Sequence, residues 1–197
     1  MKLRCLLLTI AVIFFSVGNL SAQTPEAPAP YEVGEKKHTI TPEDVLSLRE
    51  LYDVKLSPDG KQIAFVVNEP NDPKRPREPR ASNIWVVPTN GRELPRPLIP
   101  ALKNADSPRW SPDGRWITFF EFPPTKESNN WLSLAPAQGG EIRQLLKDYR
   151  GSILMSEWAA DSKSLLAQSV EGTREVISRV DIDTGAFHKI TDVIQSQ

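Results

Sequence analysis

One line of sequence occurs twice with little change and a third time in altered form. It reads Leu56-Ser57-Pro58-Asp59-Gly60-Lys61-Gln62-Ile63-Ala64-Phe65, then Trp110-Ser111-Pro112-Asp113-Gly114-Arg115-Trp116-Ile117-Thr118-Phe119, then Trp158-Ala159-Ala160-Asp161-Ser162-Lys163-Ser164-Leu165-Leu166. Each copy joins two apolar runs through a four-residue turn, the pattern of an antiparallel hairpin. Proline presets φ, aspartate bonds its own backbone, and glycine takes the positive φ that closes the bend. Pro58 recurs as Pro112 after 54 residues and Trp110 as Trp158 after 48, a period found in propellers and arrays.

Around each turn the strand signals fall in fours. In the first repeat they cover residues 52–56, 62–67, 83–87 and, weakly, 94–99, with Asn90-Gly91 turning the last pair. The second has 107–110, 116–120, 131–135 and 142–146, with Gly139-Gly140. The third has 153–158, 164–170, 175–181 and 187–191, with Asp183-Thr184-Gly185. Four antiparallel strands repeated at about 50 residues predict an all-β chain of three four-stranded blades of an incomplete β-propeller. Helical repeats of roughly 20 to 34 residues do not fit, since no copy has room for a helix.

Before the repeats, Lys2 and Arg4 precede an apolar core from Leu6 to Val17 and a small-residue end at Leu20-Ser21-Ala22. That is the form of a secretory signal over residues 1–22. Its core is short of the roughly 20 residues a bilayer span requires, so retention as an anchor is the weaker alternative. Cys5 is the sole cysteine, which leaves a processed chain with neither disulfides nor thiolate metal ligands. The absence of an Asn-x-Ser/Thr sequon after residue 22 fits a bacterial periplasmic or secreted location. Residues 23–39, rich in Pro, Ala, Glu and Lys, read as a disordered leader. The 24 basic and 25 acidic residues argue against nucleic acid or an anionic membrane as partner.

Within residues 40–51, Thr41-Pro42-Glu43-Asp44 followed by Val45, Leu46, Leu48 and Leu51 predicts a short helix over about 42–50, its apolar side packed against the edge of the next element. Blades are then expected at 52–100, 101–147 and 148–192, with a tail at 193–197. Between the second and third strands, Pro70, Pro73, Pro76 and Pro79 alternate with Lys74, Arg75, Arg77 and Arg80. This segment reads as a solvated polyproline-like loop, or a contact to a neighbouring domain.

The run Ile40-Thr41-Pro42-Glu43-Asp44-Val45-Leu46-Ser47-Leu48, followed by residues 53–65 and Asn83-Ile84-Trp85-Val86-Val87, resembles the start of exported prolyl oligopeptidase-family serine peptidases. The likeness is to acylaminoacyl-peptidase-like and dipeptidyl-aminopeptidase-like members and covers about residues 40–191; the repeats are also similar to those of TolB. The resemblance implies a seven- or eight-bladed propeller ahead of a C-terminal α/β-hydrolase domain carrying Ser, Asp and His. In the whole protein it implies a propeller that gates or docks peptides. The expected partners are therefore the remaining blades and hydrolase domain. The alternative is a stand-alone TolB-like binding or scaffold module completed by self-association. Three blades of a ring leave the outer faces of the first and last uncovered.

No catalytic residue is assigned. A hydrolase elbow needs Gly-x-Ser-x-Gly, which the chain lacks; Gly151-Ser152 opens a strand without a second glycine. His38 and His188 are read as ordinary surface or structural residues. Asp181-Ile182-Asp183-Thr184-Gly185 lacks the third acid and distal glutamate of a calcium loop, and reads as a hairpin turn, so no metal or cofactor is expected. Asp59 and Asp113 are turn formers. Trp85, Trp110, Trp116, Trp131 and Trp158 recur with the repeat and are expected to pack between blades. Substrate-binding residues are left open.

Overall fold

The computed structural model describes residues 39–70, 74, 80–122, 130–147 and 149–194. The expected signal, nearly all of the leader, Cys5, His38, residues 195–197 of the tail, and Pro73, Pro76 and Pro79 of the proline-rich loop lie outside them.

Thr41 opens the helix α1 (Pro42–Leu46) with a reciprocal cap: the Asp44 amide donates to Thr41 Oγ1 (3.3 Å) and the Thr41 amide to Asp44 Oδ2 (2.7 Å). The helix ends four residues before the predicted Glu50. The Ser47 hydroxyl takes the Asp44 carbonyl (2.7 Å), and Glu50 is drawn into a strand opposite Asn68. Val45, Leu46 and Leu48 stay about half exposed, so the expected apolar packing of this helix is absent: one and a half turns present too small a stripe to hold against a sheet.

Among the described residues, twelve strands come after the helix, forming three four-stranded antiparallel sheets, each in chain order. The first holds β1 (Glu50–Leu56), β2 (Gln62–Asn68), β3 (Ser82–Pro88) and β4 (Arg96–Pro97). The second holds β5 (Ala105–Trp110), β6 (Trp116–Glu121), β7 (Trp131–Pro136) and β8 (Arg143–Leu145). The third holds β9 (Ser152–Trp158), β10 (Ser164–Glu171), β11 (Arg174–Asp181) and β12 (Phe187–Ile194). Strand β4 is two residues long rather than six, because Pro95 and Pro97 bring no amide donors to the ladder.

The turns form as their letters require. Gly60 and Gly114 sit at φ 72° and 71°, and Ser162, in the same place, holds φ 56° with a side chain. In the first two copies the serine hydroxyl donates to the aspartate, Ser57 to Asp59 and Ser111 to Asp113, both at 2.7 Å. It also accepts the amide five residues on, from Gln62 and Trp116, both at 2.9 Å. The third copy has Ala159 there; Ser164 supplies the hydroxyl instead, bonded to Asp161 Oδ2 (3.1 Å).

Two apolar layers join the sheets. Ala64, Ile84, Val86 and Leu98 of the first pack on Ile117, Phe119 and Ala135 of the second. On the second sheet's other face, Phe120, Leu132 and Leu134 meet Leu165, Ala167 and Val180 of the third. Pleating sends alternate residues to opposite faces, so one period-2 pattern serves both layers. The corresponding outward face of the third sheet differs: with half-exposed Leu166 and Ile177 it carries Gln168, bonded to Glu175 (2.9 Å), and Arg179, bonded to Asp161 (2.8 Å). On the first sheet Phe65 and Val67 are buried, contrary to a fully uncovered outer face, and exposure there is concentrated at Leu51, Val54 and Leu56.

Candidate functional site on the innermost strands

The first strands of the sheets, β1, β5 and β9, converge: β5 touches both of the others. Each pairing has a register shift, at equivalent places in the first two sheets (Tyr52/Lys55 and Asp106/Arg109) and nearer the strand start in the third, opposite Gln168/Ser169. Asp53 (φ 46°) and Ser107 (φ 56°) occupy the shifts in left-handed conformations. Such bulges re-aim side chains, and here they turn polar groups toward one another across the sheets.

Arg109 is the centre of the cluster. Its Nη1 donates to Asp53 Oδ2 of the first sheet (3.2 Å) and to the Pro108 carbonyl (2.9 Å), and its Nε lies 3.5 Å from Glu157 Oε1 of the third. Lys55 Nζ holds the other oxygen of Asp53 at 2.8 Å. Side chains of Arg109 and Asp53 are 29% and 19% exposed, so this pairing is less screened than an ion pair in open water.

Beside it sit Tyr52 and Asp106. Burial pushes the Asp106 carboxyl up and the Asp53 charge adds to this, while the Ser107 hydrogen bond and Arg109 oppose it. Burial also raises the Tyr52 phenol, with further contributions from Asp106, Glu50 and Asp53. The arrangement is a partly desolvated strip of alternating charge. It can orient a polar chain by hydrogen bonds and charge.

The sequence candidates lie elsewhere. Asp59 and Asp113 are in the outer turns, and Asp113 is lowered to about 2, chiefly by the Ser111 hydroxyl. His188 is exposed on β12. Asp181 Oδ1 accepts the Asp183 and Thr184 amides and the Thr184 hydroxyl at 3.0, 2.8 and 2.8 Å, so its lone pairs serve the turn. Among the described residues no group of three or more His, Cys, Asp or Glu side chains is placed to hold a metal ion.

Of the tryptophans, Trp110 Nε1 donates to the Lys55 carbonyl (3.0 Å) and Trp158 Nε1 to the Arg109 carbonyl (3.1 Å). The same tie thus joins first to second and second to third sheet. Trp116 packs in the second layer under the Arg143 guanidinium, while Trp131 is 38% exposed. Sequence reasoning missed Asp53, Asp106, Arg109 and Glu157. The available signal was a charged residue, Lys55, Arg109 or Glu157, directly before the last inner-strand residue of each repeat.

No protein-family model matches the chain. Over 143 residues, 72% of its length, it is 31% identical to the uncharacterized peptidase YuxL of Bacillus subtilis, of which it spans 20%. Among solved structures, Pyrococcus horikoshii acylaminoacyl peptidase superposes with TM-score 0.56 at 17% identity, over 76% of this chain and 25% of that one. The β-propeller domain of the Trilobed protease from Pyrococcus furiosus gives 0.57 at 19%, over 76% and 44%.

The chain has the β-propeller fold and is similar over most of its length to a stretch of a peptidase. TolB from Acinetobacter baumannii shares the fold, with TM-score 0.52 at 19% identity over 72% of this chain and 32% of that one. In a propeller of this fold the three sheets are consecutive blades and the charged strip is their shared inner edge.

Proposed function

We propose that this propeller segment is a non-catalytic docking wall of an exported serine peptidase, steering peptides past the strip of Asp53, Arg109 and Glu157 toward a hydrolase domain. The carrying observation is the 31% identity with a peptidase over 143 residues, of which the chain spans 20%. The strip fits the role: alternating charges across three bulged strands complement the termini and amides of an extended peptide. Export is the role of residues 1–22 in this reading.

Anisotropy of a fluorescein-labelled hexapeptide tests it. Saturable binding is expected, weakening as salt rises from about 0.05 to 0.5 M as exposed charges are screened, and weakening in Arg109→Gln. A flat titration to millimolar protein, or full binding by Arg109→Gln, sinks the reading.

A second reading, a self-completed TolB-like scaffold, is favoured by the half-exposed Met155, Leu166 and Ile177 on the third sheet. Sedimentation giving a discrete dimer that Leu166→Lys dissociates supports it; a monomer at all concentrations rejects it.

A further inference from the structure

The outward face of the third sheet is laid out in rows. Register sets Glu157, Leu166 and Arg179 side by side on β9, β10 and β11, and beside that row a second one of Met155, Gln168 and Ile177. Residues directly opposite on neighbouring strands share a face and successive residues alternate. All six therefore point away from the second sheet, on which Leu165, Ala167 and Val180 pack. Five are exposed and Gln168 is half-buried. Where the third sheet covers the second, the matching row reads Arg109, Thr118 and Leu134, the last two buried. A leucine stands there in the place of Arg179, so the outward face of the third sheet is built for a different neighbour.

Both charges of the first row have unused capacity. Arg179 is fixed by its own sheet, Nε donating to Ser164 Oγ at 2.9 Å and Nη2 to Asp161 Oδ2 at 2.8 Å. Its Nη1 has no hydrogen-bond partner among the described residues. Glu157 accepts no hydrogen bond among them and is held by Arg109 Nε at 3.5 Å.

A row of acid, leucine and base is complementary to itself. A two-fold axis along β10, in the plane of the face, exchanges the two ends of each row. It sets Glu157 of each copy over Arg179 of the other, Met155 over Ile177, and Leu166 over Leu166. Gln168 lies on the axis and stays bonded to Glu175 of its own chain at 2.9 Å. The strands of the two sheets run in the same direction, within the roughly 30° of aligned sheet packing.

We propose that a second copy of this chain docks on the third sheet through this two-fold, with Met155, Leu166 and Ile177 as the apolar centre and two Glu157–Arg179 pairs fixing the register. Charge pairs of this kind set specificity more than affinity. The proposal rests on the self-association reading and adds that third sheet meets third sheet. In a head-to-tail contact of a third sheet on a first sheet, Glu157 and Arg179 of different copies do not meet.

Sedimentation equilibrium of the full chain from about 5 to 500 µM tests it. Wild type is expected to dimerise. Glu157→Arg and Arg179→Glu each place like charges opposite one another twice and should weaken the dimer by about tenfold or more. An equimolar mixture of the two variants sets acid over base at both places again and should dimerise as wild type does. If Arg179→Glu does not fold, Glu157→Arg decides, with about 0.5 M salt recovering part of its loss by screening. A wild-type monomer throughout the range overturns the proposal together with the self-association reading. A dimer that Glu157→Arg leaves unchanged, or two folded, weakened variants that do not associate on mixing, overturns the two-fold contact alone.

Discussion

The backbone amide of Asp113 is bonded to the side chain of Ser162 across two sheets, at 3.0 Å. The serine that departs from the turn pattern of the other copies is thus the one that ties its sheet to the preceding one. Ser162→Ala keeps the left-handed backbone (φ 56°) and loses the bond. It is expected to lower unfolding free energy by about 1 kcal/mol. Ser162→Gly relieves the backbone while losing the same bond and should lie closer to wild type. Urea unfolding checks both; a Ser162→Ala protein as stable as wild type would show that the tie contributes nothing.

The paired indole ties predict a graded tryptophan series. Trp158→Phe removes the donor to the Arg109 carbonyl and some buried volume, whereas Trp131 is 38% exposed. Trp158→Phe should therefore cost about 1–2 kcal/mol more than Trp131→Phe. Equal shifts in the two thermal melts would mean that the ties are incidental to cohesion between sheets.

Two aspartates should respond to acid in opposite directions. Asp113 is held at about 2, so its stabilisation is present above the ordinary carboxylate range and is lost as pH falls from about 4 to 2. Asp113→Asn should destabilise at pH 7 and be neutral near pH 2. Asp106 is raised, first by burial; its charge opposes folding at neutral pH, and the opposition fades as the carboxyl protonates in and just above the ordinary range. Asp106→Asn should raise the melting temperature at pH 7 and lose that advantage below about pH 4. Melts of both variants across pH 2 to 8 check the crossing; parallel profiles would refute it.

Much of the fold is legible because its signals are local. Ser-Pro-Asp-Gly specifies a bend within four residues, and the short apolar runs within Gln62–Asn68 or Trp116–Glu121, bounded by turn residues, specify strands without reference to a partner. Proline content likewise explains why β4 shrinks to Arg96–Pro97. The helix reads too long because Val45, Leu46 and Leu48 imitate an apolar stripe, while pairing of Glu50 with Asn68, a long-range event, claims the end of the segment. The inner strip is illegible for the same reason. Asp53 meets Arg109 across 56 residues of chain, through bulges whose left-handed Asp53 and Ser107 have no obligatory turn letter.

The β7–β8 turn gives the sharpest test of how closely the first two sheets approach. Gly139 has φ 88°, and a Cβ there would lie 2.8 Å from the backbone oxygen of Leu98 in the first sheet. Leu98 is fully buried and the Arg96 guanidinium reaches the Ala137 carbonyl at 3.4 Å, so neither backbone can yield without opening the first apolar layer. Gly139→Ala combines left-handed strain with a backbone clash and should cost about 2–4 kcal/mol. Gly172, on the β10–β11 turn at φ 61°, has nothing within 4 Å of its built Cβ. Gly172→Ala therefore carries the backbone term alone, about 1–2 kcal/mol. Calorimetry of the two variants separates strain from contact. Equal costs would mean that the sheets part freely at Leu98, and a Gly139→Ala cost near zero would contradict the close approach of the two sheets.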